Sequence, residues 1–221
     1  MTTVNLPQAR LPRIAVLGAG HVGPILARLA VEAGYPVSIA ASGNPEQIEL
    51  ITQVLSPGAE PRWTADAVRE ADIVVLALPL HRFTMLDPAL LDGKLAVDAM
   101  NYWQPVDGVL ALFEDHRFGS SEIVQRRLAN ATVVKTFNHL GYHQLADDRR
   151  PEGSPDRLAL GVASDDLHAV DVVAELIERI GYDAVRLDHL SAGRLLEPGG
   201  PVFGASLPRT AFEQAVHAEA A

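Results

Sequence analysis

An α/β fold with a mostly parallel sheet, covered by helices on both faces, is the class that this 221-residue chain predicts. Three observations carry the expectation. Short apolar runs alternate along the chain with segments of helical periodicity, which is the order of a doubly wound sheet. One run, Asp72 to Leu78, is almost wholly apolar, as a strand buried on both faces must be. The first run, Ile14 to Leu17, passes directly into Gly18, Gly20 and Gly23 at G-x-G-x-x-G spacing.

The elements follow in order. Arg13 to Leu17 reads as a buried strand. Val22 to Ala33 follows as a helix, with Val22, Ile25, Leu26, Leu29 and Ala30 at helical spacing. Pro24 suits its first turn, where a missing N–H costs nothing, and Gly34 ends it. Val37 to Ala41 is the second strand. Asn44 caps the next helix and Pro45 opens it. Ala65 to Glu70 is a short helix, and Asp72 to Leu78 a strand. Leu80 to Leu91 reads as helical and broken near Pro88. Leu95 to Ala99 is a strand, Ser121 to Leu128 a helix and Thr132 to Phe137 a strand. The polar stretch Ala146 to Asp156 is a loop. Strand Leu158 to Val162, helix Leu167 to Ile180, strand Ala184 to Leu187, a Pro/Gly turn region from Glu197 to Gly204 and a helix from Pro208 complete the chain.

Composition narrows the function. Hydrophobic residues make up 48% of the chain, enough for one large domain with a sizeable core. With 18 Lys and Arg against 28 Asp and Glu, the formal charge is −10, which disfavours nucleic acid and anionic membranes as partners. No cysteine is present, so disulfides, thiolate metal sites and a cysteine nucleophile are excluded. Met1 to Arg10 is polar and lacks the apolar centre of a signal peptide. No apolar run approaches the ~20 residues of a membrane span. These features predict a cytoplasmic protein that acts on a small molecule.

The glycine turn predicts the ligand class. Gly18 permits the tight turn, Gly20 lets backbone approach a pyrophosphate, and Gly23 lets the helix pack on the strand. Ala19, His21 and Val22 belong to the same cradle, where N–H groups and the helix dipole stabilise phosphate. This is the arrangement of a Rossmann dinucleotide site. A purely structural turn and a methyltransferase's turn remain open alternatives. His21 reads as solvent-facing or phosphate-side, without chemistry of its own.

The end of the second strand usually selects between NAD and NADP. Ala41-Ser42-Gly43-Asn44 brings no carboxylate before Glu46, which argues against NAD, but also no Arg or Lys. Ser42, Asn44 and the following helix N-terminus can hold a 2′-phosphate through neutral donors, or can serve only as caps. NADP is the expected cofactor.

Further motifs resemble one family. Gly18-Ala-Gly-His-Val-Gly23, Val74-Val-Leu-Ala-Leu-Pro79, Gly93-Lys-Leu-Ala-Val-Asp-Ala-Met-Asn101, Gly119-Ser-Ser-Glu-Ile-Val124, Val133-Val-Lys-Thr-Phe-Asn138 and Leu190-Ser-Ala-Gly-Arg194 occur in the order and spacing of the coenzyme F420-dependent NADP oxidoreductases. The chain is also similar to the cytoplasmic oxidoreductase domain of the STEAP metalloreductases. The resemblance implies a single Rossmann domain over residues 1–221, with 1–12 as an N-terminal arm and 157–221 as a small C-terminal extension on the same sheet.

The resemblance also implies site residues. Ala41 and Ser42 take the adenosine phosphate, Ser42 standing where family members often carry arginine. Ala77, Leu78, Pro79, Asn101 and Asn138 line the nicotinamide side. A deazaflavin (coenzyme F420), or a flavin such as FMN or FAD, approaches near Asn138, His139 and Arg194, with Pro198 to Gly204 as part of the wall. A homodimer is implied as well. Each assignment has a structural alternative: Asn101 and Asn138 as turn residues, and Arg194 paired with Asp188 or Glu197. His139 and His143 lack a third ligand and are separated by Gly141, so no metal site is expected.

Hydride transfer between two rings needs orientation and a dry contact more than acid–base groups. No catalytic residue is therefore expected, with His81 and His139 as unassigned proton carriers. Hydroxyacid dehydrogenases of the β type and pyrroline-carboxylate reductases share the glycine turn. They add a long helical domain, for which too few residues follow Leu207. An NADPH-dependent reductase of a small carbonyl or imine, and a nonenzymatic nucleotide sensor, are the competing functions.

Overall fold

A computed structural model of the chain describes residues 10–115 and 117–219, so most of the expected N-terminal arm lies outside the described residues. An eight-stranded sheet runs in the order β3-β2-β1-β4-β5-β6-β7-β8. Its strands are β1 (Ile14–Leu17), β2 (Val37–Ala40), β3 (Glu60–Pro61), β4 (Ile73–Leu76), β5 (Leu95–Asp98), β6 (Thr132–Lys135), β7 (Ala159–Ala163) and β8 (Asp183–Leu187). All neighbours are parallel except β6 and β7, which meet in antiparallel fashion at Lys135 and Ala163. This is the Rossmann-type α/β fold expected from the alternation of runs.

Alternate strand residues feed two cores, because successive side chains point to opposite faces. Ile14, Val16, Ile39, Val75, Val97 and Val134 pack on one face beneath α1 (Val22–Glu32) and α8 (Leu167–Arg179). Ala15, Leu17, Val74, Leu76, Ala96 and Val133 pack on the other, beneath α3 (Thr64–Glu70), α4 (Leu80–Phe83) and α6 (Ser120–Arg127). A third cluster seats α9 (Arg209–Glu219) on β7 and β8 through Phe212 and Val216.

Several local expectations changed. The Leu80 to Leu91 segment keeps only one α-helical turn in α4 and a 3₁₀ turn at Pro88–Leu91, capped by Asp87. β6 stops at Lys135 because Phe137 has φ +64°, a left-handed conformation that cannot continue a strand. The predicted loop begins later than expected. Tyr142–Asp147 is a helix, α7, closed at its start by Gln144 Oε1 accepting from Gly141 N–H at 2.9 Å. Gly141 thus ends one segment and starts the next. Leu190–Leu196 forms a 3₁₀ helix that the sequence pattern did not reveal. Asn44 does cap as expected: its Oδ1 accepts from Glu46 N–H ahead of a 3₁₀ turn, Pro45–Ile48, which leads into α2 (Glu49–Leu55).

Candidate functional site

The strand order reverses direction between β1 and β4, and the crevice outside the strand C-termini at such a switch point is where open α/β sheets bind ligands. The glycine turn sits there, and each glycine is held to its position by a different cause. A Cβ on Gly18, at φ +122°, would lie 2.1 Å from the Ala77 carbonyl oxygen. A Cβ on Gly23 would lie 1.8 Å from the Gly18 oxygen. Those two glycines weld the turn to β4 and to α1. Gly20 is different: a Cβ there meets nothing within 4 Å, and the residue is exposed. The open space at Gly20, beside the start of α1, fits a pyrophosphate group. His21 is exposed and stacks on Tyr142 with ring centroids 5.1 Å apart. Ala19 and Val22 are half-buried against the core on the same turn.

On the expected adenosine side, Ala41 and exposed Ser42 follow β2. Asn44 is already committed. Its Oδ1 takes the Glu46 N–H and its Nδ2 donates to Glu46 Oε2, both at 3.1 Å. The nearby cation, Arg62, is held by Glu60 and Glu70, each at 2.8 Å. Ser42 is the exposed polar side chain at this strand end that is not so committed. We expect Ser42→Arg to tighten NADPH binding about tenfold, by supplying one charge-assisted pair, while NADH affinity stays unchanged. Fluorescence titration with both nucleotides checks this, and an equal gain for NADH would show that the 2′ position lies elsewhere.

On the expected nicotinamide side, Ala77 and Leu78 are half-buried and Pro79 is exposed, all following β4. Asn101 and Asn138 meet each other. Asn138 Nδ2 donates to Asn101 Oδ1 at 2.9 Å and to Leu196 O at 2.6 Å, and Asn101 Nδ2 donates to Asn138 O at 2.7 Å. The pair joins the loops after β5 and β6 to the 3₁₀ helix. Asn138 Oδ1 remains buried without a partner, an acceptor that a ligand donor can satisfy.

Beneath this pair lies an ion pair that sequence reasoning missed. Lys135 Nζ lies 3.4 Å from Asp98 Oδ2 and donates to Met100 O at 2.5 Å, with both side chains at 1% exposure or less. Asp98 also accepts from Met100 N–H and from Ser121 Oγ–H. Asp98 and Lys135 are register partners on β5 and β6. The available signal was a charge at matching ends of two apolar strands.

Other expectations meet a different structure. His139 does not face the cleft: it is 1% exposed and packs edge-on against Phe212, with ring centroids 5.6 Å apart. The main chain turns inward at Phe137, which carries the next ring into the core. Burial lowers its pKa from 6.5 to about 4. The folded imidazole stays neutral down to about pH 4, whereas the unfolded one takes a proton below 6.5. The stabilisation is complete above pH 6.5 and is lost as pH falls toward 4, by about 3 kcal/mol. His139→Leu should remove this component, and comparing urea midpoints of the two proteins from pH 7 to 4 isolates it.

Arg194 is exposed and forms no ion pair with Asp188 or Glu197 among the described residues. Glu197 instead accepts from Ser120 N–H and Oγ–H at the start of α6. Arg194 lines a groove of about 910 Å³ with Tyr102, Phe118, His189, Leu195 and Pro198 to Pro201. Tyr102 adjoins Asn101, and Leu195 adjoins the Leu196 carbonyl that Asn138 contacts. Among the described residues, no group of three metal-ligating side chains occurs and no helix is long and apolar enough to cross a membrane.

Sheet order, glycine cradle and strand-end loops together define a dinucleotide-binding Rossmann protein. Comparison with known proteins makes the class more specific. Residues 13–102 match the family model of NADP oxidoreductases dependent on coenzyme F420. The match supports NADP-dependent oxidoreduction. A hypothetical protein from Sinorhizobium meliloti is 28% identical, with a TM-score of 0.75 over 90% of this chain and 96% of its own. A candidate F420-dependent NADP reductase from Arthrobacter sp. FB24 is 26% identical, with a TM-score of 0.67 over 82% of this chain and 86% of its own. An imine reductase from Pseudomonas sp., 17% identical with a TM-score of 0.55, shares the fold over 81% of this chain but only 57% of its own. No curated protein matches the chain.

Proposed function

We propose that this protein transfers hydride between NADP(H) and a deazaflavin or flavin seated in the groove beside Asn101 and Asn138. The observation that carries the reading is that groove. At about 910 Å³ it is large enough for a tricyclic ring system, and its lining includes Tyr102, next to Asn101, and Leu195, next to the Leu196 carbonyl that Asn138 contacts. The nicotinamide, when bound, supplies or accepts the hydride. The residues of the chain bind and orient. Gly18 to Gly23 receive the pyrophosphate, and Ala41 and Ser42 the adenosine phosphate. Ala77 to Pro79 and Asn101 flank the nicotinamide, whose carboxamide can satisfy Asn138 Oδ1. Tyr102 and Arg194 contact the second ring and its anionic substituents. His139 is left out of that contact because of its burial. A homodimer is proposed on the family resemblance alone, and a cytoplasmic location on the acidic, cysteine-free composition.

The test mixes purified protein with NADPH and, separately, oxidised deazaflavin, FMN and FAD, and follows NADPH absorbance. Oxidation with the deazaflavin or a flavin is expected. Oxidation only with a small carbonyl or imine compound would replace this reading by that of a carbonyl or imine reductase.

A further inference from the structure

Accepting a hydride at carbon leaves a ring acceptor one proton short, and the site described so far holds no group to deliver it. One unassigned cluster can. His81 stands in α4, two residues beyond Pro79, with its side chain 36% exposed. Its Nδ1 lies 3.0 Å from Asp107 Oδ1, and its backbone N–H donates to the same oxygen at 3.2 Å. Asp107 ends the short helix α5 (Gln104–Asp107) and is 2% exposed at its side chain. Its other oxygen accepts from Trp103 N–H at 3.0 Å. A buried carboxylate thus grips one imidazole nitrogen and locks the tautomer, while Nε2 has no partner among the described residues. The segment that carries Asp107 begins at Asn101, and the turn that carries His81 begins at Ala77. The dyad therefore bridges the two loops that flank the nicotinamide side.

We infer that His81 is the proton donor of the reaction and Asp107 its positioning residue. The inference rests on the hydride-transfer reading above. In the step, hydride passes from the nicotinamide to C5 of the deazaflavin. The electron pair displaced from the ring is captured at the conjugated ring nitrogen N1 by the Nε2 proton of the His81 imidazolium. His81 ends neutral, its Nδ1–H held by Asp107, and is reprotonated from water. In the reverse direction Nε2 accepts the proton. The charged groups around α4 are Asp107 from α5, Arg82 on α4 itself, and Arg127 from α6, whose guanidinium donates to Thr84 O and Leu86 O.

The experiment compares wild type, His81→Gln and Asp107→Asn with NADPH and oxidised deazaflavin. His81→Gln should lower kcat about 100-fold, the usual scale for a lost proton donor, with NADPH affinity within about twofold of wild type. The pH profile of kcat should differ between wild type and His81→Gln. Asp107→Asn should lower kcat by less than His81→Gln does and leave NADPH affinity unchanged, since the ring keeps its place but loses the carboxylate that orients Nδ1. Imidazole NMR gives a readout apart from turnover: the His81 resonance, identified by its absence in His81→Gln, should move on addition of deazaflavin. If wild type reduces deazaflavin and His81→Gln keeps its kcat and pH profile, or the resonance does not move, the role assigned to His81 falls while the hydride-transfer reading stands. If wild type reduces neither deazaflavin nor flavin, both fall.

Discussion

Gly20→Asp abolishes dinucleotide binding and leaves the fold intact. The added side chain enters open space, since a Cβ on Gly20 meets nothing within 4 Å. Its carboxylate then occupies the position offered to the pyrophosphate. Repulsion between like charges at contact distance in a partly screened site is on the order of 3–4 kcal/mol, so NADPH affinity should drop by at least about 100-fold. Fluorescence titration measures the affinity and thermal melting the fold. Retained affinity would put the pyrophosphate elsewhere. Gly23→Ala, a far smaller change, should do the opposite and damage folding. Its methyl would stand 1.8 Å from a backbone oxygen, which has no flexible side chain to move aside.

Lys135→Met should cost about 3–5 kcal/mol of stability, because it strands the Asp98 carboxylate at the C-terminal edge of the sheet without its cation. The long apolar stem is kept, so packing against Gly193 changes little and the loss is electrostatic. Adding Asp98→Asn removes the stranded charge, keeps Oδ1 as acceptor for Met100 N–H and lets Nδ2 donate to Ser121 Oγ. The double variant should therefore recover more than half of the loss in urea denaturation. No recovery would mean that Lys135 acts by packing. The ion pair has a second consequence. Lys135 holds Met100 O and Asp98 holds Met100 N–H, so the backbone that presents Asn101 is anchored on both sides. Lys135→Met should also weaken NADPH binding in whatever fraction remains folded.

Much of this molecule was legible in its sequence because the signals were local. The apolar runs became β1, β2, β4, β5 and β6 to within a residue or two at most ends, since a strand buried on both faces admits few polar side chains. The glycine spacing announced a phosphate cradle because only glycine tolerates those approaches. Asn44 announced its cap. Less legible were features built from partners far apart in the chain. Asp107 lies 26 residues from His81, and Lys135 lies 37 from Asp98. No periodicity links such residues; they meet because parallel strands bring successive loops to one edge. The burial of His139 was also hidden, since it follows from one left-handed residue, Phe137, that turns the chain after β6.

The sequence alone determined the main strands of the sheet, though not β3, together with the glycine turn at 18–23 and the kind of ligand it predicts, because each depends on side-chain size and polarity at short range. Tertiary structure decided which of the strand-end residues share a site. It tied Asn101 to Asn138, buried His139, freed Arg194 to line a groove and set Asp107 behind His81. The physical reason is that a buried polar group must find a partner, and in a parallel sheet that partner comes from a neighbouring loop distant in sequence.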